Sequence, residues 1–302
     1  MRRTQATPMP DSPEPNSARY FAQLYSTESQ RSILDALFGI EREVSESLRP
    51  GLDHQVAHSR LQWWREECER AADQRPVHPL TKTLVGALKE PLSRSPAALA
   101  GLTGLVDVAV WDLAGATFET RRELSAYCER WAAAVIETLV AGVAPSEPSP
   151  PLSAQAELRP ELRTANWRAL GAAMREMEML TNVVGEAHFG RLRVPLDELD
   201  NLKVDPGALA RPPLPEAVVA LLRARHQLLR EQIVRTLSEL DREQQPLLRG
   251  LLVWAALIWR SSQRAERELP DRLRPGRFDA VADAWFAWRI ARRATIGRFR
   301  LN

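Results

Sequence analysis

Cysteine is scarce: Cys68 and Cys128 are the only two in 302 residues, far apart and both inside helix-patterned segments. That excludes a disulfide framework and predicts two buried thiols in a reducing compartment. Net charge is scarce as well. Lys+Arg 41 against Asp+Glu 39 leaves +2, without the strongly basic face or domain of a nucleic-acid binder. Long apolar runs are missing. The longest, Gly250 to Trp259, is about half a membrane span, so it predicts a buried helix. Residues 1–17 carry Arg2, Arg3 and four prolines but no apolar stretch, which excludes a secretory signal and predicts a disordered leader. Sustained period-2 alternation and fixed-period repeats are also absent, which excludes a sheet and a solenoid.

What the chain has is helix. A hydrophobic content of 44% with 26% charged residues suits a folded globular chain. Ser29 to Leu48 places Ile33, Leu37, Ile40 and Val44 at helical spacing, and Pro50-Gly51 ends the run. Leu52 to Ala72 continues with Val56, Leu61 and Trp64, and Leu80 to Leu88 follows a loop bracketed by Pro76 and Pro79. Pro96 opens a helix expected to reach Ala116. Further helices are expected over Tyr127 to Val143, Leu162 to Val184, Glu216 to Leu240, Pro246 to Glu268 and Phe278 to Ile296. Pro145 to Pro151 and Arg211 to Pro215 are loops, and Gly185 to Gly207 is expected to be irregular. The proline loops are too short for flexible interdomain linkers, so residues 18–302 form one all-α domain, cytoplasmic or peripheral at a membrane.

Several stretches, in order, resemble the squalene/phytoene synthase superfamily. Arg19-Tyr20-Phe21 through Ala36-Leu37-Phe38 is similar to that family's opening helix, LDHQVAHSRLQWWREE (Leu52 to Glu67) to the next, and PVHP (Pro76 to Pro79) to the loop after it. Asp107 through Asp112-Leu113 matches an Asp, four residues and Asp-Leu. ELSAYCERWAAAV (Glu123 to Val135) resembles the Tyr-Cys helix, and LTN (Leu180 to Asn182) with GRLRVPLDEL (Gly190 to Leu199) resembles the end of the second catalytic helix and the loop beyond. The resemblance covers most of Arg19 to Leu209. It implies the isoprenoid synthase fold, a helical bundle around a central cavity.

The departures concern chemistry. In active members two Asp-rich motifs on facing helices hold Mg²⁺, a hard ion that takes carboxylate oxygens, and the metals bridge to a prenyl diphosphate. Where the first motif falls, this chain reads Ser45-Glu46-Ser47-Leu48-Arg49. Where the second falls, it reads Asn182 to His188 with Glu186, about four residues shorter than the pattern. The chain is more similar to the divergent non-catalytic branch that includes the mitochondrial complex I assembly factor with a phytoene-synthase-like fold. The shared features are a Glu at Glu43, an Arg-x-Gln-aromatic-Trp core like Arg60 to Trp64, Pro-His near His78, and a lone His before a basic segment and Pro, as in His188 to Pro195.

These features imply a catalytically degenerate protein that binds an isoprenoid or lipidic ligand, or a protein partner, and no nucleic acid. Arg60, Trp64, Glu43, Tyr127 and His188 are the ligand-binding candidates. No cofactor is expected. Mg²⁺ enters only under the rival reading of an active prenyltransferase, with Glu43, Glu46, Asn182 and Glu186 as substitute ligands; Glu43 and Glu46 share a helix face at i, i+3. A third reading is a scaffold with a filled cavity. Arg49 discriminates among these, since a cation disfavours a metal cluster but suits an anionic group. His54 and His58 lack further partners at ligand spacing, and Asp107 and Asp112, five apart, are expected to diverge into helix polar contacts. Trp63 and Trp64 should divide, one buried and one not. The last segment, Trp285 to Asn302, holds five arginines and no acid. It predicts a helix docked with its aromatics in the core and a basic face making weak membrane-surface contact.

Overall fold

Five of the helices begin where the sequence supplies an acceptor for the orphan backbone N–H groups of a first turn. The Ser17 hydroxyl accepts from Tyr20 N–H at 3.1 Å to open α1 (Ala18–Tyr25). Thr27 and Gln30 form a reciprocal capping box on α2 (Glu28–Ser45). Asp53 caps α3 (His54–Ala72), and His78 with Pro79 at the first position opens α4 (Pro79–Ala87). Thr120 caps α6 (Arg121–Ala132), which runs on through a π turn, Ala133–Glu137, to Ala141. The computed structural model describes residues 13–49, 51–89, 92, 96–115, 117–143, 160–269 and 280–301. The expected leader falls mainly on residues 1–12, outside the described residues, as does the loop Pro145 to Pro151.

The remaining helices are α5 (Gly104–Leu113), α7 (Pro160–Thr181), α8 (Val183–His188), α9 (Leu196–Asn201), α10 (Glu216–Ser238), α11 (Arg249–Glu268) and α12 (Ala280–Thr295). No strand occurs among the described residues. α7 is the axis of the bundle: it buries Leu170, Ala173, Met174 and Met177 and packs against α6, α10 and α11. α11 buries every residue from Gly250 to Ile258, so the longest apolar run is core. No described helix is long and apolar enough to cross a membrane. Close approach explains Gly250. A Cβ there would lie 2.0 Å from Ser26 Oγ and 2.6 Å from the Ala22 carbonyl, where α1 crosses α11.

Four expectations need correction. The helix from Pro96 is a 3₁₀ turn (Pro96–Leu99), and the α-helix starts only at Gly104. Gly101 and Gly104 make the intervening turn, where either Cβ would meet the backbone of α6 or its π turn. The stretch Gly185 to Gly207 is not irregular throughout; it contains α9, whose start is tied down by Leu196 N–H to Phe118 O at 2.8 Å. The helix expected to reach Val184 breaks at Asn182, whose backbone leaves the helical region before α8 resumes. Finally, α12 docks through Ala287, Ile290, Ala291 and Ala294, while Trp285 and Trp288 are 59% and 40% exposed. The small alanines allow close approach to the bundle, and the indoles fall on the opposite side of the wheel.

The two thiols are free and buried. Burial pushes Cys68 up to about 12 and Cys128 higher still, so neither is a nucleophile at neutral pH.

Candidate functional site

The C-terminal end of α2 and the broken end of α7 face each other across a cleft of about 490 Å³. On one side α2 passes into a 3₁₀ turn (Glu46–Leu48) that stops at Arg49 in extended backbone, presenting Arg42, Ser45, Glu46 and Arg49. Opposite stand Arg175 and Glu178 from α7, Asn182 at the break, and Glu186 from α8. A Cβ on Gly185 would lie 2.5 Å from Asn182 Oδ1, so glycine there lets the Asn182 side chain fold back toward Glu186, 3.5 Å away. Asp112 from α5 and Arg191 and Arg193 from the loop after α8 close the floor.

Each carboxylate at this cleft has an arginine against it. Arg193 donates to Asp112 at 2.8 Å and to Glu186 at 3.0 Å. Arg49 meets Glu46 at 3.2 Å, and Arg175 meets Glu178 at 3.5 Å. Arg193 is buried; that burial works against its charge, but the Asp112 and Glu186 carboxylates help hold it above the ordinary arginine value. The Tyr127 hydroxyl donates to Asp112 at 3.0 Å, and burial raises its pKa, so it stays a neutral phenol. The result is a clamp of five arginines against four acids, with the acids already neutralised in place.

Behind Arg175 lies a network of ion pairs and aromatic rings. Arg19 pairs with Glu41 at 2.5 Å and lies over the rings of Phe38, Trp131 and Trp254 at 5.0–6.0 Å. Trp131 Nε1 donates to Glu41 at 2.9 Å, and Arg175 lies 5.4 Å over the Trp131 ring. Burial opposes the Glu41 charge, but Arg19 and Arg175 hold its carboxyl below the usual range. Trp131 and Trp254 are fully buried and meet edge to face.

The chain matches the squalene/phytoene synthase family over residues 14–292. It belongs to that family. Among solved structures it is similar to a dehydrosqualene synthase in complex with ligand, at 15% identity and a TM-score of 0.69 over 90% of each chain. It is also similar to the squalene synthase HpnC from Alicyclobacillus acidocaldarius, at 17% identity and a TM-score of 0.60 over 82% of this chain and 87% of that one. These likenesses establish the isoprenoid synthase helical fold. No curated protein matches by sequence.

The residues expected to take the places of the family's metal ligands, Ser45, Glu46, Arg49, Asn182 and Glu186, all reach the cleft. Glu43 does not; it lies beside Arg42 at 3.9 Å, and of the two glutamates only Glu46 lines the cleft. Tyr127 lies beneath the floor rather than in the cleft. Arg60 and Trp64 are on α3 and line no part of it; Trp64 is buried against His78, 4.8 Å between ring centroids. His188 is exposed beside Phe189. Asp107 does diverge from Asp112, pairing with Arg65 at 2.5 Å. His54 and His58 contact each other on the outer face of α3, Nε2 to Nε2 3.1 Å. Sequence reasoning missed Arg175, Arg191 and Arg193 at the cleft, and reduced Asp112 to a helix contact although it closes the family's Asp-x₄-Asp-Leu pattern.

The donor set is a poor fit for Mg²⁺. The ion needs several carboxylate oxygens converging with open coordination positions. Here the acids point at guanidinium groups, and no group of three His, Cys, Asp or Glu suited to a metal occurs among the described residues.

Proposed function

We propose that this protein is a non-condensing member of the squalene/phytoene synthase family whose cleft holds the anionic head of an isoprenoid or lipidic ligand on arginines, without Mg²⁺. Arg49 carries the reading: it puts a fixed cation where an active member places a metal-binding carboxylate. Arg191 lies across the cleft, and both are exposed enough to reach a phosphate. The volume is within the range of small-molecule sites, and the Arg19–Glu41–Arg175 network with Trp131 packs directly behind it. The resemblance to the non-catalytic branch with the complex I assembly factor fits this reading, and so does a cytoplasmic location.

The network packed behind the cleft also favours a second reading, a scaffold that binds a protein partner and no ligand. Calorimetry with farnesyl diphosphate, in chelator and in Mg²⁺, separates the three cases. We expect binding in chelator, no release of diphosphate, and a loss of about tenfold or more on Arg49→Ala or Arg191→Ala, the size of one charge-assisted hydrogen bond. Turnover near 1 s⁻¹ that requires Mg²⁺ overturns the non-condensing reading. Absence of binding under either condition leaves the scaffold.

A further inference from the structure

The outer face of α12 carries an exposed stripe of apolar, aromatic and basic side chains. At 100° per residue, Val281, Trp285, Trp288, Arg292 and Ile296 fall within a stripe about 80° wide. The side chains on that stripe are directed away from the core, with Val281 81% and Ile296 60% exposed. Trp285 and Trp288 stack at 4.8 Å between centroids, and the Arg292 guanidinium lies 5.4 Å over the Trp288 ring. Arg289, Arg293, Arg298 and Arg300 are exposed around them. The helix's one acid, Asp283, is buried and held by Arg260 and Arg264. Asp241 and Glu243 are exposed beside the turn that packs on the C-terminal end of α12, and Arg242 lies between them.

Two stacked indoles in water form an apolar patch that an isolated soluble surface rarely keeps. Indole carries an apolar body and one N–H, the combination that settles at the interface between lipid headgroups and acyl chains. Arginines flanking such a face complement lipid phosphates. A second copy of this chain is the poorer occupant, because a two-fold contact would set these arginines against their own images. We propose that the outer face of α12 is a membrane-docking surface that inserts Trp285 and Trp288 into an anionic lipid bilayer. The insertion goes beyond the charge-only contact that the sequence predicts.

Sedimentation of the full chain with phosphatidylcholine vesicles, with and without phosphatidylglycerol, tests this. The expected result is binding to phosphatidylglycerol vesicles that high salt weakens but does not abolish. Trp285→Ser with Trp288→Ser should lower partitioning by about tenfold or more. Arg289→Gln with Arg292→Gln should lower it by roughly fivefold for each arginine removed at low salt. All four positions are exposed, so the variants should keep the parent's circular dichroism and melting temperature. Three results overturn the proposal: no sedimentation at low salt; binding fully reversed by salt and unchanged in the tryptophan variant; or a concentration-dependent dimer, abolished by that variant, without vesicle binding.

Discussion

Glu41→Ala should be among the most damaging single changes in this protein. Its carboxylate sits two turns upstream of Arg49, beyond the cleft, and neutralises Arg19 at 2.5 Å and Arg175 at 3.9 Å. Alanine would leave Arg19 and Arg175 sharing Glu178 alone, at 3.7 and 3.5 Å, and leave the fully buried Trp131 N–H without its acceptor. Breaking a buried ion pair by removing one partner costs about 3–5 kcal/mol, and an orphaned buried donor about 1–3 kcal/mol. Arg19 and Arg175 retain 26% and 19% exposure, and Glu178 offers partial replacement, so the lower part of that range applies, about 3–4 kcal/mol in all. Against a total stability of about 5–15 kcal/mol that is a large fraction.

Urea unfolding with far-ultraviolet circular dichroism measures the loss, and Glu46→Ala is the matched control. Glu46 pairs with Arg49, which is 69% exposed, so its removal should cost about 0–1 kcal/mol. Replacing the pair together, Arg19→Met with Glu41→Leu, should recover much of the single-variant loss, because apolar side chains of similar volume relieve both desolvation costs. A Glu41→Ala cost below about 1 kcal/mol would mean that water reaches this network, and its burial would be a misreading.

Trp64→Ala should cost roughly 3–5 kcal/mol and Trp63→Ala far less, since they are 4% and 40% exposed; thermal melts of both decide it. Glu67 is buried, but its hydrogen bonds with Thr81, His78, Val77 and Arg70 hold its carboxyl below the usual value, as Arg19 and Arg175 hold Glu41. A depressed folded pKa gives stability that is present above the unfolded value, about 4.3, and lost as pH falls through the folded one. Unfolding free energy should therefore drop on acidification below about pH 5, and Glu67→Gln should flatten part of that slope. Neither Cys68 nor Cys128 should react with a thiol reagent until denaturant is added; rapid labelling in buffer would contradict their burial.

Helix positions were legible because apolar spacing, caps and prolines act locally. Ile33, Leu37, Ile40 and Val44 all reached the core, and Gly250 to Ile258 is buried as its composition required. The division of Trp63 from Trp64 was legible for the same reason. What escaped was set across the chain. Nothing in the sequence near Arg19 points to Glu41, 22 residues on, or to Trp254. Arg193 reaches Asp112 across 81 residues, and only the fold makes that an ion pair. The misplacement of Trp285 and Trp288 has a different cause. Hydrophobicity predicts burial on average, yet on α12 the alanines already filled the docking face, leaving the larger side chains for solvent.

These long-range pairs decide how the cleft is understood. Glu46 and Glu186, taken from the sequence alone, read as remnants of a metal site, and the fold adds Asp112 and Glu178 beside them. In the fold each one faces an arginine, and the departures at the two motifs become a single electrostatic change. Carboxylates gathered in one cleft repel one another at close range, which is costly in a low-dielectric site. Arg49, Arg175, Arg191 and Arg193 supply the fixed positive charge that offsets this repulsion. They are covalently part of the chain and cannot dissociate as a metal can. A carboxylate restored at Ser45 or Arg49 would therefore enter a site whose second half, Glu186 with Asp112, is still committed to Arg193. The altered motifs and the arginine clamp support one another, and neither is readily reversed alone.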